Sequence, residues 1–287
     1  MPPARQEGPL ALICGGGSLP LAVADFVSAR GRQVLLFPLR GIARPEDYAQ
    51  RPHTWLRIAK FGTFARAARA AGCHELVLIG SLVRPAFWQL RFDLTTLKLL
   101  PRIAAAFRGG DDHLLSSGAR LIEEQGFRVL GAHEVAPEIL VPEGTLGHVQ
   151  VGERDRADIA LGLDYLHATG PFDVGQAVVV AGRHVLAVEA AEGTDRMLER
   201  IAALRASGRI PASTVGGVLV KAPKRGQDRR FDLPSIGPLT VEGAARAGLA
   251  GIAVVAGGSI VAEPSLLVQA ADNASIFVVG LPAGGEP

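Results

Sequence analysis

The stretch LALICGGGSLPLAVADF, residues 10–26, constrains this chain more than any other. It is a short apolar strand signal, a glycine turn and a helix start. The same unit recurs. QVLLFPL, ELVLIGSL and FRVLGA read as further strands, and LAVADFVSAR, TFARAARAAG and HLLSSGARLIEEQG as the intervening helices. Gly31 and Gly72 sit where such helices stop, because glycine tolerates the left-handed conformation that ends a helix. Strand–helix alternation predicts βαβ units around a parallel sheet.

The pattern changes at Ala136. APEILVPEGTLGHVQVGERD has prolines and glycines with no clear period and reads as a linker. Helical signals resume near Asp155, in DRADIALGLDYLHATG, followed by the strand-like runs QAVVVAG, HVLAVEA, GGVLVKA, GIAVVAG and SIFVVGL. DRMLERIAALRASG and TVEGAARAGL read as helices between them. The runs on either side of Gly182-Arg183-His184 predict a hairpin, so this half is mixed rather than purely parallel. The expected fold class is α/β: an N-terminal parallel-sheet domain over 1–135, a linker over 136–153 and a mixed α/β domain over 154–287.

Composition narrows the function classes. Apolar residues make up 48% of the chain, enough for real cores, and the net charge is only +2. Nucleic-acid binders show a strongly basic face, so no nucleic-acid partner is expected. Mean hydropathy is +0.25, which raises the question of a membrane. The uncharged run Ala247–Ala262 carries four glycines and falls short of the roughly 20 residues that span a bilayer. The excess apolarity is what buried parallel strands give. Two cysteines far apart, Cys14 and Cys73, suggest neither a disulfide framework nor a zinc cluster. The first residues lack a secretory h-region, and a cytoplasmic location is the expectation.

Gly15, Gly16 and Gly17 let the backbone turn tightly, Ser18 stands at the N-cap position before Leu19, and Pro20 suits a first helical turn. Open amides at such a helix start favour phosphate. A dinucleotide fingerprint is not met: Pro20 occupies the place of the third glycine, and the second strand ends at Arg40 instead of an acidic residue. A nucleotide or phosphosugar remains, beside a turn that binds nothing. Gly80 and Ser81 end another strand, where open parallel sheets hold ligands; an ordinary strand-to-helix loop looks the same. Asp111 and Asp112 precede a helix and suit either a hard cation or a cap on the helix dipole. Gln176, Glu189, Glu192, Thr194 and Asp195 are polar residues about a strand–EGTD–helix junction, where capping competes with phosphate binding.

The run VKAPKRGQDRRFDLPSIGP, residues 220–238, crowds opposed charge beside an apolar strand end. Lys221 and Lys224 can neutralise a diphosphate. Asp228 or Asp232 can hold a divalent cation. Gln227 and Arg225, Arg229 and Arg230 add polar and anion-binding capacity. Surface ion pairs contribute little stability, so a salt-bridge loop is the weaker explanation of this placement.

Taken together, GGGSLP, GSLVRP, GDDHLL, VGQAVVV with VLAVEAAEGTDRML, and above all GVLVKAPKRGQDRRFDLPSIGPLTVEGAARAGLAGIAV resemble the LpxI-type UDP-2,3-diacylglucosamine pyrophosphatases of Gram-negative bacteria. The resemblance runs from about Leu10 to Leu281. Arg225, where the family commonly has proline, and Val255, where an acidic residue is expected, depart from the pattern. The resemblance implies a Rossmann-like N-terminal domain, a distinct C-terminal α/β domain, and substrate held between them. It implies hydrolysis of UDP-2,3-diacylglucosamine to UMP and 2,3-diacylglucosamine 1-phosphate (lipid X) in lipid A synthesis. Water attacks the α-phosphorus, and a divalent metal is required, Mg²⁺ or Mn²⁺. The essential aspartate falls on Asp228 or Asp232; Asp228, beside Gln227 and the lysines, is favoured, as metal ligand or water-orienting group, with Asp111 a second metal candidate. A lipid-linked substrate implies peripheral contact with the cytoplasmic face of the inner membrane, and a homodimer is allowed. A soluble nucleotide-sugar hydrolase or transferase, or a nonenzymatic nucleotide or lipid binder, are the competing readings.

Overall fold

The structure, a computed structural model, describes residues 8–81, 93, 95–96, 111–172, 174–211, 214–224, 228–231 and 233–282, with the backbone alone for 111–115. The chain divides into two compact units. The first comprises Met1–Glu138 and Asp228–Phe231; the second comprises Ile139–Gln227 and Asp232–Pro287.

The first unit carries the parallel sheet that the opening motif predicts. Its strands are β1 (Leu10–Cys14), β2 (Val34–Pro38), β3 (Glu75–Ile79) and β4 (Arg128–Leu130). They lie in the order β2-β1-β3-β4, all parallel. Helix α1 (Leu19–Ala29) joins β1 to β2, and the chain then crosses through α2 (Pro45–Tyr48) and α3 (Phe61–Ala70) to the other side of β1. That reversal between β1 and β3 is a topological switch point, where the carboxyl ends of open α/β sheets form a crevice. Helix α4 (Asp111–Glu124) precedes β4, and the short helix α5 (Ala132–Val135) follows it. Phe37, Phe64, Leu76, Phe127 and Val129 form a core on the α3 side, with Phe64 in aromatic contact with Phe37 and Phe127.

The second unit holds a mixed sheet in the order β5-β12-β10-β8-β6-β7, with β5 (Gly144–Leu146) at one edge. Strands β8 (Val218–Lys221), β10 (Gly251–Val255) and β12 (Phe277–Leu281) run parallel, connected by helices α8 (Pro238–Arg246) and α9 (Pro264–Ala274). Strands β6 (Ala177–Ala181) and β7 (His184–Val188) form the predicted hairpin, antiparallel to each other and to β8. The turn residues Gly182 and Arg183 both have positive φ, 58° and 63°, as a two-residue hairpin loop requires. Successive residues point to opposite faces. Val178, Val180, Val218, Val220 and Ala253 pack on Ile159 and Leu163 of helix α6 (Glu153–Thr169). Val179, Leu219, Ile252, Val254 and Val278 pack on Met197 and Ile201 of helix α7 (Gly193–Ala206) and on Val241 and Leu267. Burial on both faces is why these strands read as unbroken apolar runs.

Two local features differ from the sequence reading. Residues 136–153, expected to be a linker, contain the edge strand β5 (Gly144–Leu146), antiparallel to β12, and the buried Ile139 and Val141. Three strand residues between prolines and glycines are too few to show a period. Helix α9 is absent from the sequence reading, although Leu267 and Ala271 bury one of its faces. The uncharged run Ala247–Ala262 folds mainly as β10 and β11 (Ile260–Val261), the latter parallel to β9 (Ser235–Ile236). Among the described residues no helix is long and apolar enough to cross a membrane.

Candidate active site

In the first unit the loops after β1 and β3 meet. Gly15 N–H donates to the Ile79 carbonyl at 2.8 Å, and Gly16 and Ser81 exchange backbone hydrogen bonds of 2.9 Å each way. The sequence-predicted Gly15–Gly17 and Gly80–Ser81 groups therefore sit together at the switch point. Their glycines serve this approach first. A Cβ on Gly15 would lie 2.4 Å from the Ser81 carbonyl oxygen, and one on Gly80 would lie 2.8 Å from the Gly16 oxygen. The expectation of open amides along the whole glycine run is thereby corrected: those of Gly15 and Gly16 are spent on the β3 side. Gly17, at φ 90° with open space where a side chain would be, begins the part of the loop that can face a ligand. Ser18 takes the N-cap position of α1 without a side-chain cap bond, and its carbonyl accepts from Leu21 and Ala22 at 3.1 Å. A helix leaves its first amides without intrahelical partners, so the anion-binding capacity rests on Gly17, Ser18 and Leu19.

The segment Asp228–Phe231 folds with this first unit although its neighbours in sequence belong to the second. Arg230 organises it. The guanidinium donates to both Asp228 carboxylate oxygens, from Nε at 3.0 and 3.2 Å and from Nη2 at 2.7 Å. The Arg230 amide adds a bond of 3.1 Å to Asp228 Oδ1, and Nη1 donates to Glu123 at 2.8 Å. Its guanidinium also lies 5.2 Å over the Phe231 ring. Hydrogen bonding from Arg230 outweighs desolvation and holds the Asp228 carboxyl below the usual carboxylate range. His133 lies in the same charge cluster; burial, reinforced by Arg229, pushes its imidazole down from the ordinary value. Asp228 is thus an ionised acceptor at neutral pH, but its lone pairs face an arginine. Among the described residues no three histidine, cysteine, aspartate or glutamate side chains form a metal-binding group. Asp232, Gln227 and the Asp111 side chain lie outside the described residues, as does the rest of GSLVRP after Ser81.

The second unit holds the other cluster. Lys221 ends β8, opposite Ala177 of β6 and Val254 of β10. It is only 6% exposed. Its Nζ donates to Thr194 Oγ1 at 2.9 Å and to the Ser235 carbonyl at 3.0 Å. Thr194 Oγ1 in turn donates to Glu189 Oε1 at 2.7 Å. The other Glu189 oxygen accepts the Gln176 amide at 2.8 Å, and the Gln176 carbonyl accepts the Ala222 amide at 3.1 Å. Three candidate site residues, Lys221, Thr194 and Gln176, are therefore assembled by Glu189, a member of the same polar cluster to which the sequence gives no role. The sequence reads Thr194 as a candidate helix cap; the structure places Glu192 at the N-cap position instead and turns the Thr194 hydroxyl toward the lysine. Glu192 is exposed and pairs with Arg200 at 2.8 Å, while Asp195 is exposed on the first turn of α7. Neither takes part in the bonds that hold Lys221. Lys224 is partly buried three residues beyond Lys221, and Val255 partly buried at the end of β10.

Against known families, the LpxI N-terminal domain matches residues 9–139 and the LpxI C-terminal domain residues 142–279. The chain belongs to the LpxI family. Within it, the chain is 42% identical over 278 residues to the UDP-2,3-diacylglucosamine pyrophosphatase LpxI of Caulobacter vibrioides, covering 97% of this chain and 99% of that protein. Among solved structures, UDP-glucose 4-epimerase of Thermus thermophilus in complex with NAD aligns at 12% identity and a TM-score of 0.30, covering 96% of this chain and 86% of that one; a likeness this distant carries no inference about the fold. Sequence reasoning names Glu189 among the polar residues near EGTD and Arg230 among the anion binders, but assigns a partner to neither. Arg230 stands two positions from Asp228, but its residue type reads as one of several anion binders. Glu189 follows β7 directly, and no local pattern reveals which lysine it supports.

Proposed function

We infer that this member of the LpxI family hydrolyses UDP-2,3-diacylglucosamine to UMP and 2,3-diacylglucosamine 1-phosphate, a step of lipid A synthesis. The observation that carries the reading is similarity to the Caulobacter vibrioides pyrophosphatase along nearly the full length of both chains. The chemistry of the two clusters agrees with it. Water adds to the α-phosphorus and the bond from that phosphorus to the bridging oxygen breaks. The bridging oxygen leaves with the sugar phosphate, and a proton passes to solvent. Negative charge grows on the departing phosphate, where fixed cations are most effective; Lys221 and Lys224 supply them. The amides at Gly17, Ser18 and Leu19 offer a second anion contact. Asp228, kept ionised by Arg230, is suited to orient the attacking water.

Turnover in ¹⁸O-labelled water tests the reaction and its direction of attack together. The label is expected in UMP. Label in the lipid product instead would reverse the site of attack, and absence of both products would overturn the activity. Asp228→Ala is expected to abolish turnover; near-normal turnover in that variant with loss in Asp232→Ala would transfer the role to Asp232. We further propose a divalent-cation requirement, Mg²⁺ or Mn²⁺, expected to show as loss of turnover in EDTA and recovery on adding Mg²⁺. Each buried methylene contributes about 0.8 kcal/mol, so acyl chains are expected to dominate affinity. Comparable turnover of UDP-N-acetylglucosamine would count against a lipid substrate. Peripheral contact with the inner membrane gives such a substrate its route, and co-sedimentation with vesicles checks it.

A further inference from the structure

Lys221 is held by more than its place at the end of β8. The residue is 6% exposed, and a buried charge is costly unless it is paired and hydrogen-bonded. Among its bonds, Nζ donates to Thr194 Oγ1 and to the Ser235 carbonyl. The direction of the first bond is set by the chemistry of its groups. An ammonium has donors only, a carboxylate acceptors only, and a hydroxyl a single proton. Thr194 Oγ1 lies 2.9 Å from Lys221 Nζ and 2.7 Å from Glu189 Oε1. Its one proton must point to the carboxylate, which leaves its lone pairs for the ammonium. The chain of bonds runs one way, from lysine through threonine to glutamate.

We propose that Glu189 is a positioning residue for Lys221, acting through the Thr194 hydroxyl. The same carboxylate accepts the Gln176 amide at 2.8 Å, and the Gln176 carbonyl accepts the amide of Ala222, the residue after Lys221. Glu189 thus fixes the lysine from both directions: the ammonium through Thr194, and the end of β8 through Gln176. It orients the threonine proton and anchors the end of the chain of bonds, so that Lys221 meets the diphosphate as a fixed cation. Glu189 itself touches no substrate. Hydrogen bonds that orient functional groups in this way are worth about ten- to hundredfold in rate where they support metal ligands, and a comparable effect is expected here.

This rests on the hydrolase reading, and the test separates the two. In steady-state kinetics with UDP-2,3-diacylglucosamine, Glu189→Gln is expected to lower kcat by about ten- to hundredfold with KM within about twofold. Thr194→Val is expected to do the same and Thr194→Ser to restore turnover. The double variant Glu189→Gln/Thr194→Val should be no worse than Thr194→Val alone, because residues acting in one chain of bonds are not additive. The second readout needs no substrate. Brief acetylation of each folded variant, followed by peptide mass spectrometry, reports the reactivity of Lys221, with Lys224 as the internal reference. Loss of the carboxylate, or of the hydroxyl that links it to the lysine, loosens the amine in its site, so Lys221 is expected to label faster in Glu189→Gln and Thr194→Val and at the wild-type rate in Thr194→Ser. Unchanged labelling in Glu189→Gln, or additive kinetic losses, overturns the positioning role. A wild-type protein that fails to cleave the substrate but shows the labelling pattern overturns the hydrolase reading and leaves the lysine support intact. Should Glu189→Gln fold poorly, the Thr194→Ser and Thr194→Val pair carries the same comparison.

Discussion

The glycine crossing of β1 and β3 makes a graded prediction, because three of its glycines are present for three different reasons. Gly15 has an ordinary backbone but no room, with 2.4 Å from a built Cβ to the Ser81 carbonyl oxygen. Gly17 has room but a left-handed φ of 90°. Gly80 has neither: φ is 99°, and a Cβ would meet Gly16 O at 2.8 Å, Gly15 C at 2.9 Å and the Pro20 ring at 2.9 Å. A left-handed alanine costs roughly 1–2 kcal/mol, overpacking a tight site roughly 1–3 kcal/mol, and the lost freedom of the unfolded chain returns about 0.4–1 kcal/mol. Gly17→Ala should therefore cost under about 1.5 kcal/mol and Gly15→Ala about 1–2 kcal/mol, while Gly80→Ala combines both penalties at about 2–4 kcal/mol. At about 3 °C per kcal/mol for a domain of this size, Gly80→Ala is expected to lower the melting temperature of the first unit by roughly 6–12 °C. Scanning calorimetry of the full chain with all three alanine variants measures the order. Melting of Gly80→Ala within about 2 °C of wild type would refute the assignment of its two penalties. So would Gly17→Ala as the most damaging of the three. A distinct loss of turnover in Gly17→Ala without a large change in melting would locate the ligand-facing part of the loop there.

Single contacts set the other expected outcomes. Asp158 is 4% exposed and accepts the amides of Gly182 and Arg183 at 3.0 and 2.6 Å, so Asp158→Ala should loosen the β6–β7 hairpin and cost about 1–3 kcal/mol in denaturant unfolding. Burial pushes the Cys14 thiol up to about 11 and raises that of Cys73 as well; both should resist DTNB at pH 8 and react once the chain is unfolded. The Asp228 carboxyl is lowered chiefly by Arg230. A depressed folded value contributes stability that is present above the ordinary carboxylate range near 4 and is lost as pH falls through the folded value. Arg230→Met should flatten that acid limb in unfolding curves measured across pH 2–5, and an acid limb unchanged in the variant would remove the pair from the account.

The range of the forces involved decides how much of this protein is legible along its chain. The elements of both units are legible because burial imposes its period locally: Val178 and Val179 must face opposite ways whatever lies around them. Glycine runs are legible as turns for the same reason. Their purpose is not, since the atom that forbids a side chain on Gly15 belongs to Ser81, a partner that only the crossover topology brings near. The charged run after β8 shows the limit most clearly. Read along the chain, Lys221, Asp228 and Arg230 form one patch of opposed charge. Folded, Lys221 is tied to Thr194 and Ser235 within the second unit, while Asp228 and Arg230 close on each other and on Glu123 within the first. The spacing between the lysine and the aspartate therefore reflects a change of unit, and each charge must be paired where it arrives. The chemistry of the run is visible in its residue types, but the identity of each partner is not, because Glu189 and Glu123 are chosen by tertiary packing. Glu123→Gln and Glu189→Gln should accordingly act independently, the first on the acid stability of the Asp228 cluster and the second on the reactivity of Lys221. Cross-effects in a double variant would mean that the run works as a single charged loop after all.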